Sequence, residues 1–291
     1  MENQIYNESC HNTLDRMPPG FIDAVVTSPP YGNMRDYASG LGDGGWDFEL
    51  LAAQLKEKVC DCGVVCWIVR DQRKNWDYSM EGYRQAEFFR SLSFKFFQHI
   101  VIESKITIPG SSPIVNSFQN CFCFCNGKKP AVFGILKKKS KTTGKINIQT
   151  PKESKALNAG IDRVTTCGEH RRMTDVFRID DDSMFDSEGV CVWRYPGGKW
   201  VFRGGASNIH PATTPYSIVA RLIHTFSKPG GLIYDPFNGC GTVTLEAKIA
   251  GRKWCGSEIV EEYHNVAMGR MGMKYEPPPG QKGFDFGEKN E

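Results

Sequence analysis

Two short blocks of the sequence carry residues whose types and spacing suit chemistry, and the first is TSPPY at residues 27–31. Pro29 and Pro30 fix their φ angles and donate no N–H, so they make a stiff, extended corner with outward-facing carbonyl groups. Ser28 adds a hydroxyl that accepts hydrogen bonds, and Tyr31 adds a flat aromatic face. An apolar run directly precedes this corner. We therefore expect it at the end of a buried strand.

The second block is DPFNGCGT at residues 235–242, between a short apolar run and a segment with helical spacing. Gly239 and Gly241 let a ligand approach the backbone and permit positive φ. Position 244 is threonine, so the third glycine of the dinucleotide signature is missing, and a ligand without a pyrophosphate suits the loop better. Glu258 follows the next predicted strand, where doubly wound folds place an acid on ribose hydroxyls. A simple tight turn is the alternative, but strand, loop, helix, strand and acid in this order favour a nucleoside site.

A lysine-rich stretch separates the two blocks. Residues 128–145 contain seven lysines in 18 residues, although the net charge of the whole chain is only +3. Two interpretations are open at this point: a solvated surface loop, or a segment that contacts nucleic-acid phosphates. The chemistry of the two blocks has to decide between them.

The eleven cysteines are odd in number and scattered through apolar sequence, and the N-terminus lacks the features of a signal peptide. We therefore expect a reducing cytoplasm rather than disulfides. The run CFCFC at 121–125 puts three thiols on one face of a strand, and Cys60 and Cys62 add a second C-x-C. Ligands two apart on a flat strand rarely close a tetrahedron, and C-x₂-C knuckles are absent. The sequence thus favours buried small hydrophobes over a zinc site and predicts no metal.

Composition and periodicity place these features in an α/β fold. The chain has 291 residues, 40% hydrophobic and 24% charged, which is ordinary for a globular protein, and its apolar runs are too short to span a bilayer. Apolar bursts separated by helix-competent stretches predict strands covered on both faces. The middle of the chain is polar and irregular. We divide the chain into residues 1–130, an insertion at 131–205, a regular part at 206–275 and a tail at 276–291.

Together these blocks resemble those of the β-class amino-methyltransferases of DNA. The matching pieces are TSPPY at 27–31, HPATTP at 210–215, DPFNGCGT at 235–242 and GSEI at 256–259. In that class the S/D-P-P-Y block precedes the cofactor loop, a circularly permuted order, and a target-recognition region stands between them. The resemblance implies a Rossmann-like S-adenosylmethionine-dependent methyltransferase fold, with a mixed, mostly parallel sheet, helices on both faces, and 131–205 as the target-recognition insertion.

The resemblance also implies the reaction. A methyl group would pass from S-adenosylmethionine to the exocyclic N4 of a cytosine flipped out of a specific DNA site, by direct attack, since the Ser-Pro-Pro-Tyr form usually marks cytosine-N4 enzymes. The implied catalytic residues are Ser28, Pro29, Pro30 and Tyr31; the implied cofactor residues are Asp235, Phe237, Gly239, Gly241, Thr242, Glu258, His210, Pro211 and Glu8; and the expected DNA contacts are Lys137, Lys138, Lys139, Lys141, Arg171 and Arg172.

Several alternatives stay open. An adenine-N6 DNA methyltransferase differs only in the target base, a non-catalytic DNA-binding relative would keep the fold, and a nicotinamide-dependent oxidoreductase would use a similar sheet. A cytosine-C5 enzyme is disfavoured, because no proline is followed by cysteine in the chain. We expect DNA as the partner, no membrane, and a bacterial, archaeal or phage-encoded protein of the cytoplasm. A cognate restriction endonuclease and the choice between monomer and homodimer are not decided by the sequence.

Overall fold

The computed structural model describes residues 1–30, 46–71, 73–74, 77–103, 118–134, 137–139, 146–149, 163–166, 170–172, 176–178 and 214–272. The chain divides into two compact units. The larger comprises Met1–Gly134, Asp175–Ile179 and Lys199–Glu291, and the smaller comprises Ile135–Thr174 and Asp180–Gly198. Among the described helices, none combines the length and apolar character needed to cross a membrane.

The elements follow one another in a largely alternating order of strands and helices. They are β1 (Gln4–Tyr6), α1 (Cys10–Arg16), β2 (Ile22–Thr27), α2 (Phe48–Lys58), β3 (Val59–Val69), β4 (Arg73–Lys74), β5 (Asp77–Tyr78), α3 (Glu81–Ser91), β6 (Lys95–Glu103), β7 (Phe118–Cys125), β8 (Lys137–Lys139), β9 (Ile146–Gln149), β10 (Arg163–Thr166), β11 (His170–Arg172), β12 (Val176–Arg178), α4 (Tyr216–Phe226), β13 (Leu232–Asp235), α5 (Thr242–Ile249), β14 (Lys253–Ser257) and α6 (Glu261–Arg270).

The larger unit is built on an eight-stranded sheet with the order β1-β14-β13-β2-β3-β7-β6-β12. Strand β7 runs antiparallel to both of its neighbours, and every other neighbouring pair is parallel. Strands β13 and β2 are adjacent although 204 residues of chain separate them, and the carboxyl ends of β2, β13 and β14 share one edge of the sheet. Ligands of open α/β sheets bind at this kind of edge.

Both faces of the sheet are covered, which explains the continuous apolar strands of the sequence. On one face Leu14 of α1, Leu51 of α2 and Phe89 of α3 pack with Trp67 and Phe124 in a single core cluster. Helices α4 and α5 contact β2, β13 and β14, and Ala24 and Val26 of β2 are buried outside that cluster. Alternate residues of a strand point to opposite faces, so α4 and α5 cover the second face. The predicted mixed, mostly parallel α/β fold with helices on both faces is confirmed.

Aromatic side chains hold α3 against the face of the sheet that α1 and α2 also cover. The ring of Phe89 stacks on Phe124 with centroids 4.8 Å apart and meets the edge of Trp67 at 5.3 Å. The indole N–H of Trp67 donates to Gln85 Oε1 of α3 at 2.8 Å, so this buried donor is satisfied. The helix-to-sheet contact is therefore specific in geometry as well as apolar.

The smaller unit contains two antiparallel two-stranded sheets among its described residues, β9 with β10 and β8 with β11. Strand β12, which the sequence analysis placed inside the middle region, instead pairs with β6 of the larger unit in parallel. Its three residues are too short to show a period, so only the pairing reveals where they belong. The functional division of the chain stays a prediction.

Candidate active site

The two sequence blocks meet at one edge of the sheet. Strands β2 and β13 pair in parallel, with Ala24 opposite Ile233 and Val25 opposite Tyr234. Thr27 Oγ1, at the end of β2, donates a hydrogen bond of 2.7 Å to Asp235 Oδ1, across 208 positions of sequence. Both side chains are buried. This bond joins the TSPP corner to the DPFNG loop.

Asp235 is an acid in an unfavourable environment for its charge. Burial raises the pKa of its carboxyl group to about 7, and the hydrogen bonds from Thr27 and from the Phe237 N–H (3.0 Å) offset this only in part. The neighbouring charge of Glu258 raises the pKa of Asp235 further. The carboxylate form is thus poised to gain from a positively charged or hydrogen-bond-donating ligand.

Glu258 holds the glycine loop in place. Its Oε2 accepts the Gly239 N–H at 2.7 Å and its Oε1 accepts the Val260 N–H at 2.8 Å. Burial raises the pKa of Glu258 to about 7, against the hydrogen bonds that favour the charged form. The Ile259 N–H also favours the charged form, and a carboxylate has about four acceptor positions, so Glu258 keeps capacity for one further donor. Besides its predicted role towards ribose, Glu258 therefore shapes the loop.

The loop itself needs its glycines. Gly239 and Gly241 adopt φ of +51° and +78°, in the left-handed region that favours glycine. A Cβ at Gly241 would lie 2.9 Å from the Ala267 Cβ, which is too close. Thr244 Oγ1 donates to Asn238 Oδ1 at 2.9 Å, fixing the loop to the first turn of α5 that begins at Thr242.

An aromatic wall stands beside the loop. The rings of Phe237 and Trp46 pack edge to face with centroids 4.8 Å apart, and the ring centroids of Phe237 and Trp67 are 6.5 Å apart. Sequence reasoning did not single out Trp46, since nothing in its neighbourhood predicts contact with a loop about 190 positions later. Thr27 stands in the TSPPY block, but no role was predicted for it. The signal that could have indicated one is a hydroxyl group at the last position of a buried strand.

Glu8 ends a chain of hydroxyl groups. Tyr234 OH donates to Ser257 Oγ (2.8 Å), which donates to Thr13 Oγ1 (2.8 Å), which donates to Glu8 Oε1 (2.7 Å). Arg16 pairs with the same carboxylate and holds its pKa below the usual range. Glu8 therefore has a structural role at the carboxyl end of β1, and its contribution to cofactor binding stays a prediction.

The remaining predicted residues fall into three groups. Ser28, Pro29 and Pro30 follow β2 directly, with Pro29 buried and the other two half-buried. In the smaller unit the backbone pairing of β8 with β11 sets Lys137 opposite Arg172 and Lys138 opposite Arg171, so five of the six predicted DNA-contact residues lie on one two-stranded sheet. Tyr31, His210, Pro211 and Lys141 lie outside the described residues.

The raised pKa of Asp235 predicts an unusual dependence of stability on pH. Between the ordinary pKa of 3.8 and about 7, the folded protein holds a proton on Asp235 that the unfolded chain has released. The free energy of unfolding of the ligand-free protein therefore falls as pH rises through this window, by roughly 4 kcal/mol from this group. The Asp235→Asn variant keeps the acceptor oxygen but does not titrate. Urea denaturation should therefore show that its free energy of unfolding, relative to that of wild type, rises by that amount from pH 4 to pH 8.

Glu8→Gln serves as the control of opposite sign. The pKa of Glu8 lies below its ordinary value, so its contribution is present at neutral pH and is lost as pH falls. Equal pH profiles for wild type and Asp235→Asn would contradict the environment assigned to Asp235.

Comparison with known proteins gives the family. A family model described as DNA methylase matches residues 22–269. The orphan methyltransferase M.BamHII of Bacillus amyloliquefaciens is 28% identical over 262 residues, covering 86% of this chain and 88% of that protein. The type II methyltransferase M.ScaI of Streptomyces caespitosus is 38% identical over a shorter stretch of 84 residues, covering 28% and 27% of the two chains.

Solved structures show the same fold. The PvuII DNA methyltransferase, described as cytosine-N4-specific, superposes with a TM-score of 0.61 at 16% identity, covering 93% of this chain and 86% of that one. A complex of M1.HpyAVI with S-adenosylmethionine superposes with a TM-score of 0.54 at 18% identity, covering 93% and 99%. The family match sets aside the oxidoreductase alternative. The chain belongs to the N6/N4 DNA methylase family, whose enzymes transfer the methyl group of S-adenosylmethionine to DNA.

Proposed function

We propose that this enzyme methylates the exocyclic N4 amino group of cytosine at a specific DNA site. The observation that carries the proposal is the serine form of the corner: Ser28-Pro29-Pro30 stands at the carboxyl end of β2 and is joined by the Thr27–Asp235 hydrogen bond to the glycine loop. In this family the serine form usually accompanies cytosine as the target, and the aspartate form adenine. The cytosine-N4-specific description of the PvuII enzyme supports the same choice.

The corner suits direct attack by an amino nitrogen. The lone pair of an exocyclic amino group is conjugated into the base ring, so the nitrogen must become more tetrahedral before it can attack. Two acceptors that bind its N–H hydrogens favour this change and stabilise the positive charge that develops. The Pro29 carbonyl and Ser28 Oγ supply these acceptors on a backbone that the prolines keep rigid. Tyr31 would receive the flipped base on its ring face.

The loop residues fit S-adenosylmethionine, which supplies an electrophilic methyl group on a sulfonium. The cofactor bears positive charge and ribose hydroxyls, and Asp235 and Glu258 are two buried carboxylates with acceptor capacity. The positive φ values at Gly239 and Gly241 give the loop its tight turn beside Asp235 and Glu258. Phe237 and Thr242 complete the predicted contacts, and Glu8, His210 and Pro211 are retained as sequence-based expectations.

The smaller unit supplies candidate contacts to the DNA backbone. The paired strands β8 and β11 concentrate three lysines, two arginines and His170 in six residues. Such a density of cations suits phosphates and by itself carries no sequence information. We assign this unit to DNA binding and target recognition, in line with the predicted insertion.

The identity of the methylated base is the decisive test. Wild-type enzyme with isotope-labelled cofactor and mixed-sequence DNA should give N4-methylcytosine after nucleoside digestion and mass spectrometry. Ser28→Ala should lower the single-turnover rate by about 10²–10³-fold, because one acceptor of the developing charge is lost, and change the Kd for the cofactor little. Ser91→Ala, whose hydroxyl donates to the Phe88 carbonyl at the end of α3, is the matched control.

Each result has a distinct meaning. N6-methyladenine as the product would reject cytosine as the target while leaving the family and the site intact. Normal transfer by Ser28→Ala would reject the role of the corner. Cofactor binding without label on any DNA would favour the non-catalytic relative.

The basic sheet makes a separate prediction. Changing Lys137, Lys138 and Lys139 together to glutamine should weaken DNA binding and reduce the slope of log K against log salt by up to about 3, since each lost phosphate contact removes about 0.9. Fluorescence anisotropy at several salt concentrations measures this slope. A control triple variant at Lys95, Lys228 and Lys253 removes the same charge from exposed positions at the amino edge of the large sheet. Equal slopes for the two variants would contradict the assignment.

A further inference from the structure

Three cysteine sulfurs converge inside the large sheet, on strands β3 and β7. Cys121 and Cys123 lie two positions apart on β7, so they share a face, and Cys66 of β3 is the backbone partner of Cys123. The three Sγ atoms all lie within 4.8 Å of one another, and those of Cys121 and Cys123 are 3.8 Å apart. In the sequence the second C-x-C, Cys60 and Cys62, is the expected partner of the β7 thiols, but the neighbouring strand brings in Cys66 instead.

These separations match a metal-thiolate geometry. Three sulfurs bound at about 2.3 Å to one ion stand about 3.8–4.0 Å apart, whether the ion is trigonal or tetrahedral. The sulfurs therefore need to move by less than about 1 Å to share an ion. The sequence-based argument was that ligands two apart on a flat strand rarely close a tetrahedron, and here the adjacent strand contributes a third ligand.

The surroundings favour a soft ion. All three residues are fully buried, with no exposed surface, so the sulfur atoms are shielded from bulk water. Ions that prefer oxygen ligands or retain water are disfavoured here, and thiophilic ions such as Cu(I), Zn²⁺ and Cd²⁺ are favoured. Cys125 lies on the same strand and is equally buried, but its sulfur is not part of the group.

We propose that Cys66, Cys121 and Cys123 form a three-thiolate binding site for one soft, thiophilic cation within the sheet. Binding forms three sulfur–ion bonds and changes no oxidation state. Cysteine binds metal ions as the thiolate, so the cation displaces the thiol protons of the three residues into solvent as the sulfur–ion bonds form.

The site adjoins the strand that carries the corner. Cys66 is the backbone partner of Val26, two positions before Ser28, and Trp67 is the partner of Thr27. An ion at the three thiols would cross-link β3 to β7 beside β2. Its first consequence is a gain in the stability of the sheet, because a ligand that binds only the folded state stabilises it.

The test uses full-length, thiol-reduced protein and Cd²⁺ as the probe. The background carries serine at Cys60, Cys62, Cys167 and Cys191, which removes the half-exposed thiols and the two cysteines outside the described residues. Cadmium is supplied during expression and again to the purified protein. We expect one equivalent per chain, an ultraviolet sulfur-to-cadmium charge-transfer band, three sulfur neighbours by X-ray absorption, and a higher melting temperature.

Single alanine variants locate the site. Cys66→Ala, Cys121→Ala and Cys123→Ala should each weaken cadmium binding by at least about tenfold and abolish the melting shift, whereas Cys125→Ala should behave as the background does. Circular dichroism confirms that each variant is folded, and the sulfur count on the background protein decides the question without any variant. Failure of the background to bind one equivalent, or a sulfur count below three, would overturn the proposal, as would unchanged binding by Cys123→Ala.

Discussion

The hydrogen bond between Thr27 and Asp235 is the contact on which the candidate site depends. It connects the ends of two adjacent parallel strands, and with them the proline corner and the glycine loop. In the proposed site the corner receives the base and the loop receives the methyl donor, so the two blocks must be held in register for the reacting nitrogen and the methyl carbon to meet. A short, buried hydrogen bond between neighbouring strands holds the two blocks in a fixed relative position.

Buried acids impose the second constraint. Asp235 and Glu258 both lose solvation at the same edge, and each has a pKa raised to about 7 by burial. In the ligand-free protein this costs stability at neutral pH, and a cation bound at the edge would recover it. The same two carboxylates also hold the backbone of the loop in place. Asp235 accepts a hydrogen bond from the Phe237 N–H, and Glu258 accepts one from the Gly239 N–H. The fold thus retains an unfavourable charge arrangement where a positively charged ligand is expected.

The sequence predicted the parts of the fold that depend on local pattern and on recognised blocks. A β–loop–α–β unit was predicted from Leu232 to Ile259, because strand, glycines and helix follow one another without interruption, and its second strand ends at Ser257. The union of the TSPP and DPFNG blocks was expected from the family order, and the sheet places them side by side. What the sequence could not supply were contacts set by pairing between distant segments.

Three cases illustrate the limit. Trp46 reaches Phe237 only because α2 packs on the sheet, Cys66 meets Cys123 only because β3 pairs with β7, and β12 joins the large sheet only through β6. No periodicity within a window of a few residues encodes such partners. Glu8 shows the reverse situation, in which a residue singled out by analogy with the family proves to be tied into a hydroxyl chain of the fold.

A double-mutant cycle on Thr27 and Asp235 tests the central claim most directly. Thr27→Val, Asp235→Ala and the double variant would be compared in single-turnover methyl transfer at saturating cofactor and DNA, with Thr27→Ser and Asp235→Asn as the variants that keep the donor and the acceptor of the bond. If the bond couples the two halves of one site, the double variant should be little slower than the more impaired single variant, with a coupling of about 1–3 kcal/mol. Strictly additive losses, with Thr27→Ser as impaired as Thr27→Val, would contradict the account.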